Sequence, residues 1–122
     1  MDVHFVREPI VVPALVPDLR EVGACVEFHG IVREQEEERA LTGLRYEAYE
    51  VMARTEFARI HAELAVKFSI SAATVIHRIG WVPVGEASLY VRVLAKHRGA
   101  ALGYCGELID RMKQDVPIWK AE

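Results

Sequence analysis

The chain has 122 residues, 52% of them hydrophobic and 27% charged, the balance of one ordinary soluble domain (1–122) with a single core. Lys and Arg number 15 against 18 Asp and Glu, a formal net charge of −3 with the basic residues scattered, which argues against a protein that grips nucleic acid. The two cysteines, Cys25 and Cys105, form no C-x-x-C arrangement, so zinc-ribbon and thioredoxin-like readings lack their residues and both are expected as buried thiols.

The first residues, Met1 to Glu8, carry an early acid and no basic segment leading into an apolar run, so no secretion signal is read there. The apolar stretch from Pro9 to Pro17 is broken by prolines and falls far short of the ~20 residues that a spanning helix needs. A cytoplasmic protein with no membrane segment is expected. From Gly23 to Arg33 the pattern has period two, with Ala24, Val26, Phe28 and Val32 on one face and Cys25, Glu27, His29, Ile31 and Arg33 on a wetter one. The acidic run Glu34 to Glu38 reads as a solvated connection, and a second strand follows in which Leu44, Tyr46 and Ala48 alternate with Arg45, Glu47 and Tyr49.

Between Val51 and Phe68 the apolar positions Ala53, Phe57, Ile60, Leu64 and Phe68 predict an amphipathic helix. Two strands, Ala72 to Ile79 and Glu86 to Ala95, are expected next, with Gly80 to Gly85 as a turn between them. A last helix, from about Gly99 to Val116, is predicted to bury Leu102, Cys105, Ile109, Met112 and Val116, with Pro117 ending it. Grouped strands with two main amphipathic helices and no regular βαβ alternation indicate an α+β fold, a mostly antiparallel sheet covered on one face.

Chemistry concentrates at a few positions. Lys96-His97-Arg98 stands where a core strand hands over to the final helix, and cations at a helix amino end oppose the macrodipole. An anion would relieve that conflict, since free N–H groups beside an imidazole and a guanidinium suit a phosphate or carboxylate. A solvated strand end accounts for the same residues. Arg33 closes the first long strand on its polar face, where it either joins such a site or caps the sheet edge. Lys113 falls in the last turn of the final helix, where a cation also complements the dipole. Lys120 follows a Trp-bearing, proline-fixed segment, which is either a partly apolar wall that tunes an amine for proton transfer or a frayed terminus. Arg98 and Lys113 are separated by roughly 22 Å along one helix, so they serve one small-molecule site together only if a second copy supplies His97 and Arg98.

The five histidines show neither H-x-H nor H-E-x-x-H spacing, so a metal site has little support. No Walker loop, G-x-S-x-G or G-x-G-x-x-G occurs, and Gly103 and Gly106 are read as allowing close helix packing. His77 and Arg78, neighbours on one strand, point to opposite faces and are read as structural.

Six short motifs occur in a consistent order: Gly30-Ile31-Val32-Arg33; Leu44-Arg45-Tyr46-Glu47-Ala48-Tyr49 with Met52-Ala53; Ile76-His77-Arg78-Ile79-Gly80 with Val84-Gly85-Glu86; His97-Arg98; Ile109-Asp110-Arg111-Met112-Lys113; and Val116-Pro117-Ile118-Trp119-Lys120. From about Gly23 onward the chain resembles the large, catalytic subunit of molybdopterin synthase. The resemblance implies an α/β hammerhead-like fold and a homodimer at the centre of a heterotetramer, flanked by small ubiquitin-like sulfur-carrier subunits. Each carrier's C-terminal diglycine, activated as a thiocarboxylate, would enter a pocket of this subunit. The implied reaction moves two sulfurs onto cyclic pyranopterin monophosphate to make the molybdopterin dithiolene, with no metal or cofactor in that step. Carried over by position, Lys113 and Lys120 match the catalytic lysines, and Arg33, His97 and Arg98 match the substrate-anchoring residues. The chain departs from the pattern in the acidic Glu34 to Glu38 run, in Lys96, and in Ala121 after Trp119-Lys120. A non-catalytic anion-binding or scaffold homologue that keeps the dimer and the partner surface is the alternative.

Overall fold

The computed structural model describes residues 1–15, 19–36 and 38–121; residues 16–18, 37 and 122, and with them Pro17 of the apolar stretch and Glu37 of the acidic run, lie outside that set. Nine strands and two helices follow in the order β1 (Asp2–Val6), β2 (Ala24–Ile31), β3 (Gln35–Glu36), β4 (Arg39–Ala40), β5 (Gly43–Ala48), α1 (Glu50–Lys67), β6 (Ala72–Arg78), β7 (Gly80–Pro83), β8 (Ala87–Ala95), α2 (Arg98–Asp115) and β9 (Ile118–Ala121) among the described residues. The main sheet has the order β1-β6-β8-β2 and the smaller one β7-β5-β9, with β3-β4 as a separate hairpin. Only β1 and β6 run parallel among the described pairs. The architecture is α+β, as the element pattern indicates.

β8 is the spine of the main sheet because both of its faces are apolar enough to bury. Leu89, Val91, Val93 and Ala95 meet the helices, while Tyr90 and Leu94 are buried on the reverse face. Arg92, also buried there, donates to the carbonyl of Pro13 and stands 3.9 Å from Glu27, and Tyr90 donates to that carboxylate at 2.5 Å. α1 seats Phe57, Ile60 and Leu64 against the opposite face, each essentially solvent-free. Burial of side chains this size contributes roughly 1.5–3 kcal/mol apiece, so this stripe anchors the layer.

Several elements differ from the sequence-based expectations. On α2 the buried stripe is Ala101, Tyr104, Cys105, Leu108 and Met112, and Leu102 is 57% exposed. Leu102 lies ~100° around the helix from Ala101, and the small alanine is the residue that lets the backbone approach the sheet. Gly103 does serve close packing, since a Cβ there would lie 2.4 Å from the Phe68 ring, whereas one on Gly106 would meet open space. Cys25 is exposed and only Cys105 is buried. β2 is an edge strand, and Cys25 alternates with the core-packed Ala24 and Val26, so its thiol falls on the face away from the helices.

The segment read as a turn from Gly80 to Gly85 holds a strand, β7, with Val82 fully buried opposite Leu44. The turn is confined to its end, where Glu86 donates to the Pro83 carbonyl and Gly85 takes φ +88, a conformation that costs glycine nothing. Gly80, at φ +94, lets the chain step from the main sheet to the smaller one. Part of the acidic connection forms the β3-β4 hairpin, and Asp2–Val6, not anticipated as a strand, pairs with β6. Ile118–Ala121 is not frayed, because it pairs with β5.

Candidate active site

The two sheets and the end of α2 leave between them a cleft of about 580 Å³. Each cation reaches it from a different element. Arg33 follows β2 and is fixed through Val32, which donates to Glu86 and accepts from Gly85. Lys113 occupies the last turn of α2, next to buried Met112, where a cation suits the negative end of the dipole. Lys120 comes from β9, in register with Tyr46 on β5. Pro117 terminates α2 and turns the chain back, which brings Lys113 and Lys120 to the same cleft although seven positions separate them in sequence.

Apart from Ser88 and His77, the rest of the wall is apolar or aromatic, with Leu44, Leu89, Met112 and Ile118 among its members and Trp119 packed 5.0 Å from Tyr49. Among the described lining residues there are three cations and no carboxylate. Three solvent-exposed cations grouped around a largely apolar wall, with no carboxylate among the described lining residues, concentrate positive potential and favour an anionic guest.

His77, for which the sequence favours a structural role, also lines the cleft. It is 4% exposed, and its ring sits edge-on to Tyr46 at 5.0 Å between centroids. Nδ1 lies 2.9 Å from the carbonyl of Arg78, which can only accept, so Nδ1 carries the hydrogen. Burial lowers the pKa of this imidazole below its usual value, opposed by that hydrogen bond. The signal available in the sequence was its spacing from Val75, which puts both on one face of β6.

His97 and Arg98 are not at this cleft. They lie exposed at the opposite end of α2, where His97 is the N-cap without a side-chain capping bond and the first turn holds no acidic residue. One copy therefore unites Arg33, Lys113 and Lys120 and leaves the other basic pair roughly 22 Å along the helix from Lys113.

The family model described as MoaE protein matches residues 6–115. The chain belongs to the MoaE family. This MoaE-family chain is 45% identical over 100 residues to a protein of Oryza sativa subsp. indica named molybdopterin synthase catalytic subunit, an alignment covering 82% of this chain and 52% of that one. A protein of the same name from Bacillus subtilis is 44% identical over 103 residues, 84% of this chain and 66% of its own length. The chain thus spans about half the length of the rice relative and just under two thirds of the bacterial one. Among solved structures, the crystal structure of molybdopterin synthase from Staphylococcus aureus superposes with a TM-score of 0.83 at 31% identity, covering 96% of this chain and 87% of that one.

Proposed function

We propose that this chain is the catalytic subunit of a molybdopterin synthase. It would take sulfur from the thiocarboxylated C-terminus of a small ubiquitin-like carrier subunit and deliver it to cyclic pyranopterin monophosphate. The observation that carries this reading is the convergence of Arg33, Lys113 and Lys120, from three separate segments, on one apolar-walled cleft. Family membership and the name shared by the rice and Bacillus relatives support it, and a relative called a catalytic subunit implies a further subunit.

The residues fit the chemistry. A cyclic phosphate and a thiocarboxylate are both anions, and each needs cations held in a partly dry site. Arg33 offers a forked donor for phosphate oxygens. Lys113 is assigned as the principal acid/base, and Lys120 as electrostatic support for the oxyanion formed as sulfur departs. His97 and Arg98 complete the anion site from a second copy, since the length of α2 keeps a copy's own pair away from its own cleft. The protein would act in the cytoplasm as a homodimer within a heterotetramer, one carrier at each end. No described helix is long and apolar enough to cross a membrane.

The test is reconstitution: the purified chain, a carrier whose thiocarboxylate has been verified by mass, and cyclic pyranopterin monophosphate, with molybdopterin read out as its fluorescent oxidation product. Product above the chain-free control is expected. Its absence with a competent carrier overturns the reading.

A further inference from the structure

Sulfur transfer from a thiocarboxylate has a second half, and it needs a base, which a charged lysine or arginine is not. Once the sulfur bonds to a carbon of the guest, the carrier's acyl carbon and the guest share it as a thioester. Release then requires water to attack that acyl carbon, and an attacking water must lose a proton to a group that is neutral at working pH and within reach. Lysine and arginine ammonium-type groups are poor at this while charged.

His77 has the features such a base needs. Its ring lines the cleft shared by Arg33, Lys113 and Lys120. The Nδ1 hydrogen is committed to the Arg78 carbonyl, which fixes the tautomer and leaves the lone pair on Nε2. Among the described residues Nε2 has no hydrogen-bond partner, yet it is not sealed in, for the buried unpartnered side-chain atoms are Arg78 Nε and Arg92 Nε. An unpartnered acceptor on a nearly buried ring that lines a cleft, fixed in tautomer, suits a donor arriving through that cleft. The Tyr46 ring from β5 packs edge-on against it, the cations Arg33, Lys113 on α2 and Lys120 on β9 line the same cleft, and burial of the ring disfavours a charged imidazole.

We propose that His77 is the general base for thioester cleavage, with Nε2 taking the proton of the attacking water. Water oxygen bonds to the acyl carbon, the carbon–sulfur bond breaks with its electron pair going to sulfur, and the proton passes to Nε2. The carrier leaves as an ordinary carboxylate after losing its remaining acid proton to solvent, and the guest keeps the sulfur as a thiolate, which the imidazolium or solvent protonates. This rests on the sulfur-transfer reading above.

The experiment is a single-turnover reaction of wild type, His77→Gln and His77→Asn with thiocarboxylated carrier and cyclic pyranopterin monophosphate, quenched and read by intact-mass spectrometry. Wild type should give product with little adduct. The variants should build up a carrier–pterin adduct that decays roughly 10²–10⁴-fold more slowly. Variants that turn over at the wild-type rate, or that lose product without accumulating adduct, overturn the assignment. Failure of wild type itself to make product strikes the underlying reading instead, so the two are separable. A measurement on the unaltered protein covers variants that do not fold: histidine ¹⁵N spectra near neutral pH should show His77 neutral with hydrogen on Nδ1, and an Nε2–H form or an imidazolium overturns the proposal.

Discussion

In a composite site, two defective copies should rescue each other. Lys113→Ala and Arg98→Ala each damage one component of the proposed site, the first expected to lower kcat and the second to raise KM for the anionic substrate. α2 is unbroken from Arg98 to Asp115, so the two positions stand roughly 22 Å apart along it. If each site takes Lys113 from one copy and Arg98 from the other, a mixed dimer of the two variants has one site with both defects and one with neither. Random pairing makes about half of the dimers mixed, so about a quarter of wild-type sites should reappear. The assay is co-expression of the variants under different affinity tags, sequential purification to isolate the mixed species, and molybdopterin formation per dimer; the isolated mixed dimer should reach about half of wild type. A purified mixed dimer no more active than the mean of its two parents refutes the shared site, because that mean is what sites lying within single copies would give.

Three further outcomes follow from the packing and the protonation chemistry. Phe57→Ala empties a fully buried position between α1 and the main sheet and should cost about 3–5 kcal/mol, a drop in Tm of roughly 10 °C or more by calorimetry. Gly43→Ala would place a Cβ 2.6 Å from the Val82 carbonyl and 2.5 Å from the Trp81 ring, forcing β5 and β7 apart at a cost of about 1–3 kcal/mol, visible in urea melts followed by tryptophan fluorescence. His77 has a folded pKa below its unfolded value, so between the two the unfolded chain binds more protons, and stability is full above about pH 6.5 and lost on acidification. The slope from this group is at most about 1.4 kcal/mol per pH unit; urea melts from pH 7.5 to 5 should show a shallower acid-side loss for His77→Gln, and an unchanged slope would contradict a neutral buried ring.

Sequence periodicity reported the elements whose burial is one-sided. α1 spans Glu50–Lys67, close to its expected bounds, because Ala53, Phe57, Ile60 and Leu64 are a narrow stripe with charged residues on the other face. α2 was placed well but rotated: its surface mixes small residues with large ones, and Ala101 rather than Leu102 faces the core. β7 went unread because glycine and proline punctuate Gly80-Trp81-Val82-Pro83, and those residues mark turns unless a partner strand is known to lie alongside. β1 and β9 likewise depend on distant partners, β6 and β5, which local pattern does not report. The site divides the same way. Motif order points to Arg33, Lys113 and Lys120, which line the cleft, and to His97 and Arg98, which lie at the far end of α2; His77 is not among them because a histidine inside a strand gives no local sign that its face opens on a cleft.

The electrostatics of α2 give its two ends different meanings. Lys113 at the carboxyl end complements the dipole, so it gains from the helix whether or not a substrate is present. His97 and Arg98 at the amino end oppose it, with no acid in the first turn to offset them, a conflict worth a few tenths to ~1 kcal/mol. A bound anion reverses that sign, because the same N–H groups and cations then act together on negative charge. On the proposed dimer each α2 is a rigid spacer whose amino end completes the neighbour's anion site and whose carboxyl end serves its own, so changing the helix length by a turn would displace both sites by ~5.4 Å while leaving each cleft's local chemistry intact.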